Sequence, residues 1–418
     1  MNKRALFTVS AVSLVTTSMS FAIRGDVANA ISGAFHISNE QLGLVFSPAF
    51  WAFAIGIVTS GSLVDMVGMK RLHVISGAGY ITAVVLVVLA PRPDTAVVSL
   101  FDHAGTIMLY VAFLIMGLAQ GLVEGVINPL TVTVYPQEKT RRLIMLHAWW
   151  PGGQIIGGLA AVFMTQVVHA SWQLELSLIM VPAAVYLVMA LAQHYPATER
   201  VQSNVTTGEM WRECLRPLFL LFCICNGLGS AAELGPDQWF PKVMGDLIPQ
   251  LQGVLFLVYT AGLMFLIRTF GGHISQSRPL GTMIGCGVLT FSGLYWLGSL
   301  HPGTSAVIAF TAATVFGVGK TFFVPTMLGL VSEQVPRGGA LSMSIMGGFG
   351  MLATAVALPL MGARIDKLGA GAALQMMALA PAALGVIFAG LWVYYRTHGG
   401  YKAVRIGAGD EPVATHRS

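Results

Sequence analysis

Between Asp102 and Glu138 the chain runs 35 residues with one formal charge, Glu124. In GLAQGLVEGVINPL, Gln120, Glu124 and Asn128 stand at i, i+4 and i+8, on one face of a helix. On an oily segment such a stripe can wall a watery cavity, hydrogen-bond a hydroxylated solute and carry a proton. His147, Trp150, Pro151 and Gln154 follow at i, i+3, i+4 and i+7. They offer polar atoms for hydroxyl groups and a flat ring for the apolar face of a sugar. Trp149 is read as packing against lipid or a neighbouring helix; for Trp150, packing and ligand stacking weigh equally. A third stripe joins Asn226, Ser230, Glu233 and Asp237 at steps of four, three and four. Lys320 lies at a depth similar to Glu233, so a fixed ion pair between them is the plainer alternative to a solute site. Arg24 and Lys320, two cations inside apolar runs, would suit a carboxylate-bearing sugar such as a uronic acid. Compensation of Arg24 by Asp26 is the local alternative, although the two do not share a helix face.

These residues need elements that hold them in a bilayer. A charged side chain at the centre of a membrane helix costs about 2.5–3.5 kcal/mol, so it is rarely present without a use. The chain has 418 residues, 55% hydrophobic and only 10% charged. Soluble domains carry about 25% charged residues, which excludes an ordinary soluble fold. Twelve spans fit: 5–35, 41–64, 71–91, 105–135, 140–168, 172–194, 215–243, 248–273, 279–299, 304–332, 338–362 and 371–396. The expected fold is therefore an all-α integral membrane protein, twelve transmembrane helices in two six-helix bundles. Residues 1–195 form the first bundle, 196–214 a cytoplasmic linker, 215–396 the second bundle and 397–418 a polar, mobile cytoplasmic tail. Met1 to Ala22 imitates a secretory signal, but the apolar run continues and is read as the first span.

Loop charge sets the orientation. With a cytoplasmic amino terminus, inside segments hold 17 basic residues and outside loops 4, the others being Arg24 and Lys320. Both termini are expected in the cytoplasm of a bacterial cell, the spans crossing its inner membrane. The net charge of +5 is spread between spans, so no nucleic-acid partner is implied. Cys214, Cys223, Cys225 and Cys286 show no zinc or redox spacing. An intramembrane enzyme would need a nucleophile or metal set, and no such motif is present. GVGKTFFVPT contains a GKT triplet, but Thr314 stands where a phosphate loop needs its first glycine, and the context is intramembrane. No cofactor is expected.

The loop after the second span reads GSLVDMVGMKR. Gly61 permits close helix contact, Asp65 can cap a helix end or pair with a cation, and Gly68 allows a tight turn; Lys70 and Arg71 hold the loop inside. This pattern resembles the signature of the major facilitator superfamily, in which it serves conformational gating. Gly362, Asp366 and Gly369 repeat part of the spacing after span eleven. GLVEGVINPL, YPQEKTRRLIMLHAWWPGGQIIGG and FAIRGDVANAISGAFHISNEQLGL further resemble the fucose permease branch of sugar:proton symporters. That resemblance implies proton coupling at Glu124 and Asp26, with His147 at the place of a polar span-five residue of the sugar site.

The expected function is proton-coupled uptake of a sugar or sugar derivative by alternating access, with a lipid bilayer as surroundings and a monomer as default. Expected substrate contacts are Gln120, Asn128, His147, Trp150, Gln154, Asn226, Glu233 and Lys320. Sodium coupling, uptake of a sugar acid or other organic anion, an efflux antiporter and a non-transporting sugar sensor are the rivals. Glu175, at the outer start of span six, is read as solvated. Many glycines recur at steps of four, among them Gly121/Gly125, Gly153/Gly157 and Gly281/Gly285, which would let helices approach closely.

Overall fold

A computed structural model describes residues 2–135, 142, 145–196, 207–247, 253–335 and 338–402. Among them there is no strand. The first half contains α1 (Lys3–Asp26), α2 (Ala28–Phe35), α3 (Asn39–Phe46), α4 (Pro48–Val67) and α5 (Met69–Leu89). It continues with α6 (Ala104–Val134), α7 (Trp149–Gln166), α8 (Trp172–Ser177) and α9 (Met180–Ala192). The second half contains α10 (Thr207–Cys214), α11 (Pro217–Leu247), α12 (Val254–Ser277) and α13 (Pro279–Gly298). After these come α14 (Ala306–Lys320), α15 (Phe323–Gln334), α16 (Gly339–Leu368) and α17 (Ala370–Thr397). Ten stretches are long and apolar enough to cross a membrane, and Val254–Phe270 is a shorter apolar helix. With α7 at the place of the fifth span, twelve crossings result.

Local chemistry sets the helix ends. Asn2 accepts a hydrogen bond from the Ala5 amide at 3.1 Å and so starts α1. Ser38 and Gln41 form a reciprocal capping box on α3. Gly68, at φ +90°, both ends α4 and starts α5, and Gly369, at φ +85°, makes the same joint between α16 and α17. The expected linker region is not all irregular, since Thr207–Cys214 is helical; its residues 197–206, Asn204 among them, lie outside the described residues. The start of the tail is docked where a mobile segment was expected: Tyr401 donates to Glu333 at 2.8 Å, and Gln334 donates to the Lys402 carbonyl at 2.8 Å.

Within the first half, α4 packs on α6 and α1 on α7. Gly121 makes the first contact possible: a Cβ there would sit 2.5 Å from the Phe53 carbonyl oxygen. At Gly157 a Cβ would lie 2.9 Å from the Met19 carbonyl oxygen of α1. Gly281/Gly285 is different, because Gly285 has nothing within 4 Å and Gly281 only Arg278 at 4.0 Å. Gly121→Val should therefore separate α4 from α6 and lower stability by about 1–3 kcal/mol. Gly285→Ala should leave the melting temperature within a degree or so, both being measured by thermal unfolding in detergent.

The halves meet on the side of the bundle away from the amino terminus. There α1 touches α11, α3 and α4 touch α16, and α7 touches α12. Asp366 at the end of α16 accepts hydrogen bonds from Asn39 N (3.2 Å), Asn39 Nδ2 (2.6 Å) and Glu40 N (2.8 Å). Its carboxylate thus sits on the first turn of α3, where free amides and the helix dipole favour negative charge. Lys242 also donates to Asn29 across the same seam.

Candidate functional site

The span-four stripe forms a connected row on α6 and the segment before α7. Asn128 Nδ2 donates to Glu124 Oε2 at 3.1 Å, and Asn128 Oδ1 lies 2.9 Å from His147 Nε2. Since the Asn128 amide nitrogen is spent on Glu124, its oxygen must accept, and His147 Nε2 carries the proton. Glu124, Asn128 and His147 are each half-buried, so the row is open to small polar molecules along part of its length. Gln120, one turn away, is fully buried; it donates to Ser20 Oγ at 3.0 Å and leaves Oε1 without a partner. Gln154 on α7 is likewise buried with an unpartnered Oε1. Trp150 meets Phe21 edge to face at 5.2 Å, and Trp149 is exposed, as expected of a lipid-facing ring.

In the second half the charges pair differently from the sequence reading. Lys320 donates to both carboxylate oxygens of Asp237, at 2.5 and 2.7 Å. Glu233 faces Arg268 instead, 3.9 Å away, and its Oε2 has no partner among the described residues. One helical turn along α11 separates the two acids, and the Lys320 ammonium is held by the second. Arg268, read from sequence as an inside-segment charge, also donates from Nε to the Thr321 carbonyl at 2.9 Å. That carbonyl lies in the break between α14 and α15, where the tenth span is discontinuous. Asn226 donates to the Met346 carbonyl of α16 at 2.9 Å, so its amide nitrogen ties two helices of the same half together.

Asp26 and Arg24 do not compensate each other. Asp26 lies against Glu175, which is 2% exposed where a solvated group was expected. The Ser171-capped turn that begins α8 tucks Glu175 against the end of α1. Arg24 Nε donates to Gln238 Oε1 of α11 at 2.7 Å, and Gln238 Nε2 donates to the Phe21 carbonyl at 3.0 Å. Glu175, Gln238 and Arg268 were thus missed by sequence reasoning, and only the position of Arg268 in an apolar run carried a signal.

At the signature loop, Lys70 Nζ donates to the Leu191 carbonyl at 2.7 Å, capping the end of α9. Arg71 is exposed. Gly61 and Asp65 lie in α4, with their side-chain surroundings outside the described residues.

Ten helices long and apolar enough to cross a membrane, a shorter apolar one, and buried charges in both halves describe a multi-pass membrane protein. The chain belongs to the Major Facilitator Superfamily, which it matches over residues 6–343. The gentisate transporter of Corynebacterium glutamicum is 26% identical over 234 residues, covering 53% of this chain and 50% of that protein. A voltage-gated purine nucleotide uniporter of Mus musculus is 26% identical over 270 residues, covering 59% of this chain and 56% of that one. The chain thus spans about half the length of the curated relatives it matches. Among solved structures, the xylose transporter XylE from E. coli, in a partially occluded inward open conformation, superposes with a TM-score of 0.75 at 12% identity. It covers 93% of this chain and 97% of its own.

Proposed function

We propose that this chain is a proton-coupled carrier that takes up a sugar or sugar derivative by alternating access. The observation that carries this reading is the hydrogen-bonded row Glu124–Asn128–His147, half-open on an otherwise oily wall. It supplies acceptors and donors for hydroxyl groups and one carboxylate, with Trp150 three residues beyond His147 to offer a ring for an apolar sugar face. The resemblance of GLVEGVINPL to the fucose permease branch supports the same assignment. In this reading the chain works as a monomer in the bacterial inner membrane, with both termini cytoplasmic. The sealed side at Asp366, Lys242 and Arg24 is then the outside, so the resting conformation faces inward. Rocking of one half against the other alternates access to the site.

Reconstitution in proteoliposomes tests the coupling. Glu124→Gln keeps the shape of the side chain and removes its carboxylate. Sugar counterflow should persist, while accumulation driven by a pH gradient should fall at least tenfold. Full uphill uptake by the variant removes Glu124 from the coupling step. Loss of wild-type accumulation when sodium is withdrawn, at constant pH gradient, would transfer the coupling to sodium.

A further inference from the structure

Among the described residues, Arg24 is a permanent charge without an ion-pair partner. Its side chain is 0% exposed, and Nη1 and Nη2 have no hydrogen-bond partner among the described residues. The single bond it makes, Nε to Gln238 Oε1, goes to a neutral amide. Asp26, two residues on, lies against Glu175 and forms no ion pair with Arg24. Four phenyl rings surround the guanidinium carbon: Phe21 at 4.7 Å, Phe50 at 5.0 Å, Phe46 at 5.7 Å and Phe113 at 5.9 Å. Ring faces attract a cation, yet each such contact contributes only about 0.5–2 kcal/mol. That is far short of the desolvation penalty of a buried ion, and rings accept no ordinary hydrogen bonds from the two terminal nitrogens. A guanidinium cannot escape by losing its proton in a protein.

The position explains when such a charge would be used. Arg24 lies on the α1 side of the seam, held from across it by Gln238, and the neighbouring Gly25 would place a Cβ 3.2 Å from Pro241 Cγ of α11. Any motion that parts α1 from α11 removes Gln238 and leaves the fork of Arg24 facing the opening. Ser20 and Gln120 sit one turn deeper, joined at 3.0 Å, and Gln120 Oε1 is an unused acceptor. A solute with an acid group at one end and hydroxyls at the other would satisfy both.

We infer that Arg24 is the anion site of this carrier, and that the transported solute is a hydroxylated carboxylate bound through its carboxylate by Nη1 and Nη2. A planar fork matches a carboxylate with two parallel hydrogen bonds. The inference rests on the carrier reading above and names its substrate class.

The test is thermal unfolding of the purified full-length protein in detergent at matched ionic strength. The probes are D-gluconate, D-galacturonate, 2,5-dihydroxybenzoate, D-xylose, D-glucose and inorganic phosphate. At least one of the three acids should raise the melting temperature of the wild type by several degrees, and neither neutral sugar should. The shift should vanish in Arg24→Met, shrink in Arg24→Lys and survive in Gln238→Ala. Without any probe, Arg24→Met should melt at or above the wild type, because an uncompensated buried charge has been replaced by an apolar chain of similar length. A lower melting temperature for unliganded Arg24→Met, a neutral sugar as the strongest stabiliser, or a phosphate shift equal to that of the acids would each overturn the assignment. So would the absence of any acid shift. Proton-driven uptake of a neutral sugar that survives Arg24→Met would sink this inference and leave the carrier reading standing. Absence of gradient-driven uptake for every probe, with acid binding intact, would do the reverse.

Discussion

Lys320→Ala is expected to be among the most destabilising single substitutions in the second half, lowering stability by about 3–5 kcal/mol. Lys320 and Asp237 have side chains 0% and 1% exposed, and the ammonium bonds both oxygens of the carboxylate. Lys320 is also the last residue of α14, where a cation meets the negative end of the helix dipole, and its ammonium lies 4.9 Å from the Phe316 ring. Removing it leaves the Asp237 charge stranded among apolar side chains. The double variant Lys320→Met/Asp237→Leu removes both charges and should recover most of the lost stability, since an apolar pair of similar volume often does as well as a buried ion pair. Thermal unfolding of Lys320→Met, Asp237→Leu and their double variant measures the coupling directly. Additive single effects would mean that the pair contributes nothing beyond its separate members. The recovered double variant then reports on transport: if it still exchanges solute, Lys320 is a tie between α11 and α14 and not a solute contact.

The pair shows where sequence reasoning stops. The spans and the signature loop were legible because hydropathy and glycine chemistry are local: Gly68 takes φ +90° where the motif needs a turn. The stripe Gln120–Glu124–Asn128 was legible for the same reason, being set by helical period alone. Which charges face each other was not. Lys320 meets Asp237 across 83 positions and Arg24 meets Gln238 across 214. Depth favoured Glu233, level with Lys320, over Asp237 nearer the outer end; the two acids differ by one helical turn, and Lys320 bonds the outer one. Glu175 was misread because a residue near the end of a span reads as wet. Its burial follows from the capped turn at Ser171 and from packing on α1, neither of which hydropathy reports. Asp366 belonged to a partial repeat of the signature spacing, and its work on α3 became visible only once both halves were in place.

Glu175→Gln should uncouple the carrier as severely as Glu124→Gln. Asp26 and Glu175 lie against each other at the end of α1, two residues beyond Arg24 and beside the Gly25–Pro241 seam. Two buried carboxylates this close would repel if both were charged, so the pair is expected to share one proton in the sealed conformation. In the proposed cycle, parting of α1 from α11 would let water reach the pair and its proton leave or enter, which would tie its occupancy to the conformation. A glutamine donates a hydrogen bond permanently and mimics the protonated pair. Counterflow should therefore persist in Glu175→Gln, while accumulation driven by an acidic outside should drop at least tenfold and solute exchange should lose its dependence on outside pH. Glu175→Ala, which cannot donate, should instead lower exchange and accumulation together. Wild-type accumulation in Glu175→Gln would place the transported proton on Glu124 alone. Loss of accumulation in both glutamine variants, with counterflow intact in each, would mean that the proton passes between the sealed seam and the polar row during one cycle.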